Sequence, residues 1–293
     1  MQTVATLLTI FVLYNLVLVQ NLLSSETPYE IQSYEYSLLA NAKTNLKVQW
    51  NVPQMISKGN KNQITSKSTN TINTYFIKQA ILLVTDYQAQ KSIKKSLERF
   101  SKEQCDSLLK LYAVTVSQSL ATITEDSLVK KGGSVMEYEV LFKNDWLLSV
   151  NQFYSPSHED LSSFFTSFSS YNVVTGEQLD IATMIDEKKT YYIIEAISST
   201  VSDKSGNETT WQNYAEALRD IYTYCKSKTK NQKALSTMFW NEVQLDCYFT
   251  PTHLVVWSPL ENSTSILESD VLEVPLSLFS KALKPKYQKM FVK

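Results

Sequence analysis

Glycine is scarce in this sequence. The 293 residues include only Gly59, Gly132, Gly133, Gly176 and Gly206. Loops that hold nucleotide phosphates need several closely spaced glycines, because backbone N–H groups must approach the phosphate oxygens. None of the five glycines belongs to a Walker or dinucleotide-binding pattern, so nucleotide binding through either motif is excluded.

An excess of charge of one sign is also lacking. Lysine and arginine together number 28, and aspartate and glutamate 29, which gives a net charge of −1. Nucleic-acid-binding proteins concentrate positive charge on one face. The basic cluster at the start of the helical pattern over 90–114 is instead typical of a solvated helix face. We therefore expect no nucleic acid as a partner, and no motif indicates a cofactor.

Cysteine is limited to Cys105, Cys225 and Cys247, without any CxxC pair. Structural zinc sites use paired thiolates at short spacing, so these residues predict no metal site. At most one intramolecular disulfide can form. Cys225 and Cys247 are the favoured pair because both lie in the C-terminal half, and three buried thiols are the alternative.

Histidine occurs only as His158 and His253, and His158 is followed directly by Glu159 and Asp160. This cluster raises the question of a metal or acid–base site. Adjacent residues of a strand or turn point in different directions, so the three cannot converge on one ion without a ligand from elsewhere. The chain also lacks a GxSxG nucleophile motif. We assign no catalytic or metal-binding residue, and His158 remains the one candidate for catalysis.

The first 25 residues carry no charged side chain, and their apolar run is densest over Leu7–Val19. This length fits a signal peptide better than a membrane span, which needs about 20 apolar residues. An uncleaved anchor over residues 4–23 is one alternative, and a buried helix is another. We expect a protein that is secreted, or membrane-anchored and facing outside the cytoplasm. Asn207 and Asn262 stand in glycosylation sequons, which only a eukaryotic secretory route would use.

Alternation of apolar and polar residues predicts strands along the chain. The clearest runs from Leu46 to Val52 and is expected to stop at Pro53. Glu137 and Glu139 lie on the polar, solvated face of a predicted hairpin. The predicted strands are 29–36, 46–52, 134–142, 146–154, one on each side of a Thr175-Gly176 turn within 168–185, 243–250, 253–259 and 271–279, the last with Pro275 at an edge or a strand end.

Apolar residues at helical spacing predict helices between these strands. They extend from Ile72 to about Tyr87 and over 90–114, 187–203 and 211–225, with a polar loop over 57–70. Strands and helices mix without a regular βαβ order. This pattern predicts an α+β fold of largely antiparallel sheets with packed helices. We expect two α+β subdomains, over residues 26–155 and 156–293.

The order of six segments resembles a known family. The segments are VQWNVPQM, INTYFIKQAI, YEVLFKNDWLLSVNQFYS, SYNVVTGEQLDIATMI, YFTPTHLVVWSPL and VLEVPLSLFSKAL. Together they resemble the paired extracytoplasmic domains of unknown function 4163 and 3298, in that order. This pair is found in the anti-sigma factor RsiV and beside the catalytic domain of the deacetylase PdaC. The resemblance covers about residues 30–285.

The resemblance implies an exported, non-catalytic α+β module. In RsiV the corresponding region faces outside and recognises lysozyme. In PdaC the deacetylase chemistry belongs to a separate domain, which no segment of this chain resembles. We do not extend the RsiV signalling role to this chain, because we expect no sigma-binding segment before the apolar leader.

One loop departs from the family pattern. Family members usually carry a glycine-flanked histidine after the second hairpin strand. The matching stretch here, Ser155–Asp160, keeps His158 but has neither glycine. Glycine permits positive φ and close backbone approach, so we expect a changed loop geometry. The predicted ligand loop consists of Tyr154, His158, Glu159 and Asp160, with His158 expected to hydrogen-bond the turn.

These observations predict an exported, non-catalytic binding module for a protein such as lysozyme or for a cell-wall glycan. One alternative is a hydrolase of envelope polysaccharide or peptide, with His158 and a nearby acid in its site. Another is a structural envelope protein.

Overall fold

The computed structural model describes residues 27–41, 46–58, 64–85, 87–121, 133–156, 165–203, 209–243, 245–258 and 270–291. The leader and the sequons at Asn207 and Asn262 lie outside these ranges. The described residues form an α+β fold, as predicted. No helix within them is both long enough and apolar enough to cross a bilayer.

The strands form two sheets, of order β1-β2-β3-β4-β5 and β6-β7-β8. In the described ranges they are β1 (Tyr29–Asn41), β2 (Leu46–Ser57), β3 (Ser134–Lys143), β4 (Leu147–Ser155), β5 (Phe165–Asn172), β6 (Cys247–Phe249), β7 (His253–Ser258) and β8 (Asp270–Pro275). Neighbouring strands pair antiparallel, except that β2 and β3 run parallel. The predicted hairpins β3–β4 and β6–β7 are confirmed. Pro275 ends β8 at the edge of its sheet, also as predicted.

The α-helices pack against these sheets. They are α1 (Ser66–Val84), α2 (Tyr87–Leu97), α3 (Lys102–Ala121), α4 (Ile181–Met184), α5 (Tyr191–Asp203), α6 (Thr209–Lys228), α7 (Gln232–Glu242), α8 (Leu276–Phe279) and α9 (Pro285–Phe291). Short 3₁₀ turns cover Glu187–Lys189 and Ser280–Ala282.

Several helix boundaries differ from the prediction. α1 begins inside the expected polar loop, because Thr65 and Ser68 form a capping box at its start. The expected single helix over 90–114 is two helices, α2 and α3. After the turn at Gly176, the expected second strand is only a bridge at Gln178, followed by α4. The expected strand 271–279 changes to α8 after Pro275.

The expected stop of β2 at Pro53 is wrong, because β2 continues through this residue. Pro53 pairs with Ser33 of β1, and the backbone of Met55 bonds Asn73 of α1 on the edge away from β1. Residues two apart in a strand direct their backbone groups to the same edge, so the nitrogen of Pro53 also faces away from β1. The pairing of β2 with β3 has already ended at Trp50. Proline therefore removes no ladder hydrogen bond here.

The predicted Thr175-Gly176 turn is confirmed. The Asn172 side chain accepts hydrogen bonds from the backbone N–H groups of Val174 and Thr175. Gly176 has a φ of 77°, in the left-handed region that glycine adopts without strain. A Cβ at this position would lie 2.9 Å from the Cα of Ser68, so the turn also packs against the first turn of α1.

Two hydrophobic cores hold the elements together. The first lies between α1, α3 and one face of the five-stranded sheet, and includes Trp50, Ile72, Phe76, Leu109 and Tyr171. The second lies between α5, α6, α7 and the three-stranded sheet, and includes Trp211, Phe239 and Phe249. Because β5 pairs with β4, the first sheet extends beyond residue 155. The division into 26–155 and 156–293 stays a prediction.

Serine hydroxyls join the two sheets. Ser149 Oγ donates to the carbonyl oxygen of Phe249 at 2.7 Å, and the backbone N–H of Phe249 donates to Ser170 Oγ at 2.8 Å. The two hydroxyls also bond each other at 2.7 Å. The edge strand β6 is therefore fixed on the outer face of β4 and β5, the face away from α1.

The favoured Cys225–Cys247 disulfide is not formed. All three cysteines are free thiols, with Cys105 and Cys225 buried and Cys247 partly buried. Burial raises the pKa of all three thiols. The alternative of unpaired thiols is the one that the structure shows.

Candidate functional site

Of the predicted ligand loop, only Tyr154 lies within the described residues; His158, Glu159 and Asp160 do not. Tyr154 is 6% exposed and packs edge-on against Trp50, with ring centroids 6.0 Å apart. Ser134 accepts a hydrogen bond from Trp50 at 2.9 Å and also bonds the Tyr154 hydroxyl. Tyr154 thus has a structural role at the β2–β3–β4 junction and little surface for a ligand. The role of the loop in binding stays a prediction.

The second histidine stabilises a turn. The backbone N–H of His253 donates to Thr250 Oγ1 at 2.9 Å, and its ring nitrogen Nδ1 lies 2.9 Å from Thr252 Oγ1. Among the described residues, no group of three or more histidine, cysteine, aspartate or glutamate side chains could hold a metal ion.

A cleft of about 260 Å³ lies between β1, β2, α1 and the start of α3. Its volume falls below the range of about 300–1,000 Å³ that holds drug-sized ligands, so it fits one small group. Among the residues that line it are Tyr34, Tyr36, Pro53, Lys102, Glu103 and Asp106. We call it the β1–α3 cleft.

Two tyrosines of β1 form one wall of the β1–α3 cleft. Tyr34 and Tyr36 are two residues apart and therefore share a face of the strand. Their rings meet edge to face, with centroids 5.0 Å apart. Tyr36 is 7% exposed, whereas Tyr34 is 42% exposed. Tyr34 therefore presents an aromatic surface to the solvent beside the cleft.

A chain of hydrogen bonds runs from Tyr36 into α3. The Tyr36 hydroxyl donates to Asp106 Oδ1 at 2.5 Å, and Lys110 Nζ lies 2.7 Å from Asp106 Oδ2. Burial opposes ionisation of Asp106, but the hydrogen bonds from Lys110 and Tyr36 outweigh it and lower the pKa of this carboxyl. Burial and the Asp106 carboxylate raise the pKa of Tyr36, so its hydroxyl keeps its proton.

The other carboxyl of the cleft, Glu103, lies in the first turn of α3. A capping box between Ser101 and Gln104 starts this helix. Hydrogen bonds from its own backbone N–H and from Ser101 lower the pKa of Glu103. Glu103 and Asp106 are therefore both ionised at neutral pH. They can accept hydrogen bonds from a ligand, but neither is poised to donate a proton.

The Asp106 hydrogen bonds should give the protein a pH-dependent stability. Because the pKa of Asp106 is lower in the folded protein than its ordinary value of about 3.9, its ionised form favours folding. This contribution is complete above about pH 5 and is lost as the pH falls through the folded pKa. We expect Asp106→Asn to lower the free energy of unfolding by about 1 kcal/mol at pH 7, and the difference to shrink towards pH 3.

Urea unfolding of both proteins between pH 3 and pH 7 measures this difference. Asp220→Asn, at an exposed position of α6, is the control. A difference between wild type and Asp106→Asn that does not change with pH would contradict the assignment.

Solved structures of DUF3298 family proteins are similar to this chain. No protein-family model and no curated protein matches the chain. A crystal structure of a DUF3298 family member from Bacteroides fragilis has 14% identity and a TM-score of 0.48, and the match covers 91% of this chain and 99% of that one. A DUF3298 family protein from Pseudomonas aeruginosa has 10% identity and a TM-score of 0.43, with coverage of 90% and 97%.

Both of these proteins are described as members of the DUF3298 family, which is the second of the two domains in the sequence resemblance. At these identities and TM-scores, neither carries a residue role or a function over to this chain. The domain 4163 partner and the RsiV and PdaC arrangement stay predictions.

Proposed function

We propose that the protein is an exported, non-catalytic binding module that recognises a cell-wall glycan or a lysozyme-like protein outside the cytoplasm. The observation that carries the proposal is the β1–α3 cleft, where the exposed ring of Tyr34 adjoins two ionised carboxylates. The apolar leader supports export, by secretion or by an anchor over residues 4–23. The ligand places one projecting group in the cleft.

A saccharide fits the β1–α3 cleft better than a protein side chain does. One face of a pyranose ring consists of C–H groups, which pack on an aromatic ring such as Tyr34. Its hydroxyl groups donate hydrogen bonds, and Glu103 and Asp106 offer ionised acceptors for them. The volume of about 260 Å³ suits one sugar ring of a longer chain.

The pKa values of the cleft favour binding over hydrolysis. A glycoside hydrolase needs one carboxyl group with a raised pKa, so that it can protonate the leaving oxygen. In the β1–α3 cleft, the pKa values of Glu103 and Asp106 are both lowered. The hydrolase alternative therefore depends on His158, and it predicts that His158→Ala abolishes a measurable activity without unfolding the protein.

We expect Tyr34→Ala to weaken binding of soluble peptidoglycan fragments about tenfold, because it removes the stacking surface. Isothermal titration calorimetry with purified muropeptides, and in parallel with lysozyme, measures the effect. Tyr192→Ala, which removes a 55% exposed tyrosine on α5, is the matched control and should bind as wild type does.

The titration distinguishes a glycan ligand from a protein ligand and tests whether the β1–α3 cleft is the site. Binding of lysozyme alone, weakened by Tyr34→Ala, would replace the glycan by a protein ligand at the same cleft. No binding of either ligand by the wild type would overturn the proposal and favour a structural envelope protein. Equal losses in Tyr34→Ala and Tyr192→Ala would exclude the β1–α3 cleft as the site.

A further inference from the structure

Three aromatic side chains lie where the second sheet meets the outer face of the first. Phe168 of β5 stacks on Tyr248 of β6, with ring centroids 6.1 Å apart and an interplanar angle of 18°. The ring of Trp257 in β7 also packs against Phe168, with ring centroids 5.5 Å apart. All three are partly exposed. We call Phe168, Tyr248 and Trp257 the aromatic corner.

In each sheet, the strand register places a glutamate in the same cross-strand row as one ring of the aromatic corner. In the first sheet, Asn151 of β4 lies opposite Phe168, and Glu139 of β3 lies opposite Asn151. In the second sheet, Glu273 of β8 lies two strands away from Tyr248 in the same cross-strand row. Side chains in one row share a face of their sheet. Glu139 and Glu273 are both exposed.

The two carboxylates both act on Tyr248. Burial, and then the negative charges of Glu273 and Glu139, raise the pKa of its hydroxyl. Within the described ranges, no lysine, arginine or histidine forms an ion pair with either glutamate. Among the described residues, the negative charges of Glu139 and Glu273 therefore have no cationic partner.

Asn151 adds a hydrogen-bond acceptor without a partner. The residue is 6% exposed, and its side-chain oxygen has no hydrogen-bond donor among the residues that the structure describes. It lies between Glu139 and Phe168 in the row of the first sheet. A buried acceptor without a donor costs free energy, which a ligand that brings N–H groups would recover.

We propose that the aromatic corner is a second binding site, which takes the cationic side chain of a lysine or arginine on a partner protein. The faces of tryptophan and tyrosine attract cations, and carboxylates form charge-assisted hydrogen bonds with ammonium and guanidinium groups. The flexible apolar stem of such a side chain packs along the rings while its charged end reaches the glutamates. The two carboxylates repel an anionic ligand.

The site can be tested apart from the β1–α3 cleft. Isothermal titration calorimetry of the whole protein uses the peptide acetyl-Gly-Arg-Gly-amide, and its citrulline analogue has the same shape without the charge. We expect the arginine peptide to bind and the citrulline peptide not to bind. Glu139→Gln and Glu273→Gln should each weaken binding at least fivefold. Binding should also weaken as salt is added, because the interaction is between exposed charges.

The control is Glu216→Gln, which makes the same charge change at an exposed position of α6 and should bind as wild type does. Circular dichroism checks that each variant is folded. Equal affinity for the arginine and citrulline peptides, no detectable binding of the arginine peptide, or an equal loss in Glu216→Gln would overturn the proposal. Tighter binding of glucosamine than of the arginine peptide would overturn the assignment to a protein partner.

Discussion

Replacement of Gly133 by alanine should lower the free energy of unfolding by about 3 kcal/mol. Gly133 precedes β3 and lies against the backbone of β2. A Cβ at this position would lie 1.9 Å from the carbonyl oxygen of Lys47. Because the obstacle is backbone, the strands must move apart. This movement would weaken the parallel pairing that begins at Val48 and Ser134, and the hydrogen bond from Trp50 to Ser134.

Urea unfolding followed by tryptophan fluorescence measures the effect. If the slope of the free energy of unfolding against urea concentration is the same in both proteins, the difference between them is a difference in stability. Glu137→Ala, at an exposed position of β3, is the control and should change the free energy of unfolding by less than about 0.5 kcal/mol. If Gly133→Ala unfolds within about 0.5 kcal/mol of the wild type, β2 and β3 do not approach as closely as described.

Asn73→Ala should destabilise the protein by a similar amount, about 3 kcal/mol. The Asn73 side chain on α1 accepts a hydrogen bond from the backbone N–H of Met55 at 2.7 Å and donates to its carbonyl oxygen at 3.0 Å. It thereby replaces a neighbouring strand at the edge of β2. Met55 is 1% exposed, so alanine at position 73 would leave both of its backbone groups buried without partners.

Asn70→Ala is the matched control, because Asn70 is exposed on the same helix. Alanine has the higher helix propensity, so this variant should be as stable as the wild type or slightly more stable. Amide hydrogen exchange gives a second measurement: in Asn73→Ala, the Met55 amide should exchange faster than in the control. Equal stability of the two variants would mean that the Asn73 hydrogen bonds do not hold α1 to β2.

Local patterns in the sequence predicted the hairpins well. The strands β3 and β4 alternate in polarity around a short polar turn, and their pairing depends on nearby residues only. The Thr175-Gly176 turn was equally clear, because glycine supplies the positive φ that the turn requires. In both cases the determining residues are close neighbours in the chain.

Features that depend on distant residues were not predicted. Pro53 was expected to end β2, but whether a proline is tolerated depends on which edge its nitrogen faces. Here that edge is fixed by the register with β1.

The helix α7 was missed because only two buried apolar side chains, Leu235 and Phe239, mark its packed face. The break between α2 and α3 could have been found, since Ser101 and Gln104 have the spacing of a capping box.

The residues of the candidate site also depend on contacts between distant segments, so the sequence did not reveal them. Tyr34 and Tyr36 were recognised only as part of an extended segment, although aromatic residues at alternate positions show that one face of the strand is aromatic. Asp106 gave no signal of its own, because its role depends on α3 packing over β1 and bringing it to the Tyr36 hydroxyl. Tyr154, which belongs to the predicted ligand loop, packs against Trp50 of β2, a contact between distant residues, and the role of the loop in binding stays a prediction.

The parallel pairing of β2 with β3 has a consequence for the order in which the strands assemble. Trp50 and Ser134, which bond across this pair, are 84 residues apart, and α1, α2 and α3 lie between the two strands in the chain. Closing so long a loop is entropically costly and slow. A chain that emerges from its N-terminus forms β1 and β2 first, with one edge of β2 unpaired and able to join another chain. Asn73 emerges soon after and covers part of this edge, which shortens the period in which a newly synthesised chain can aggregate.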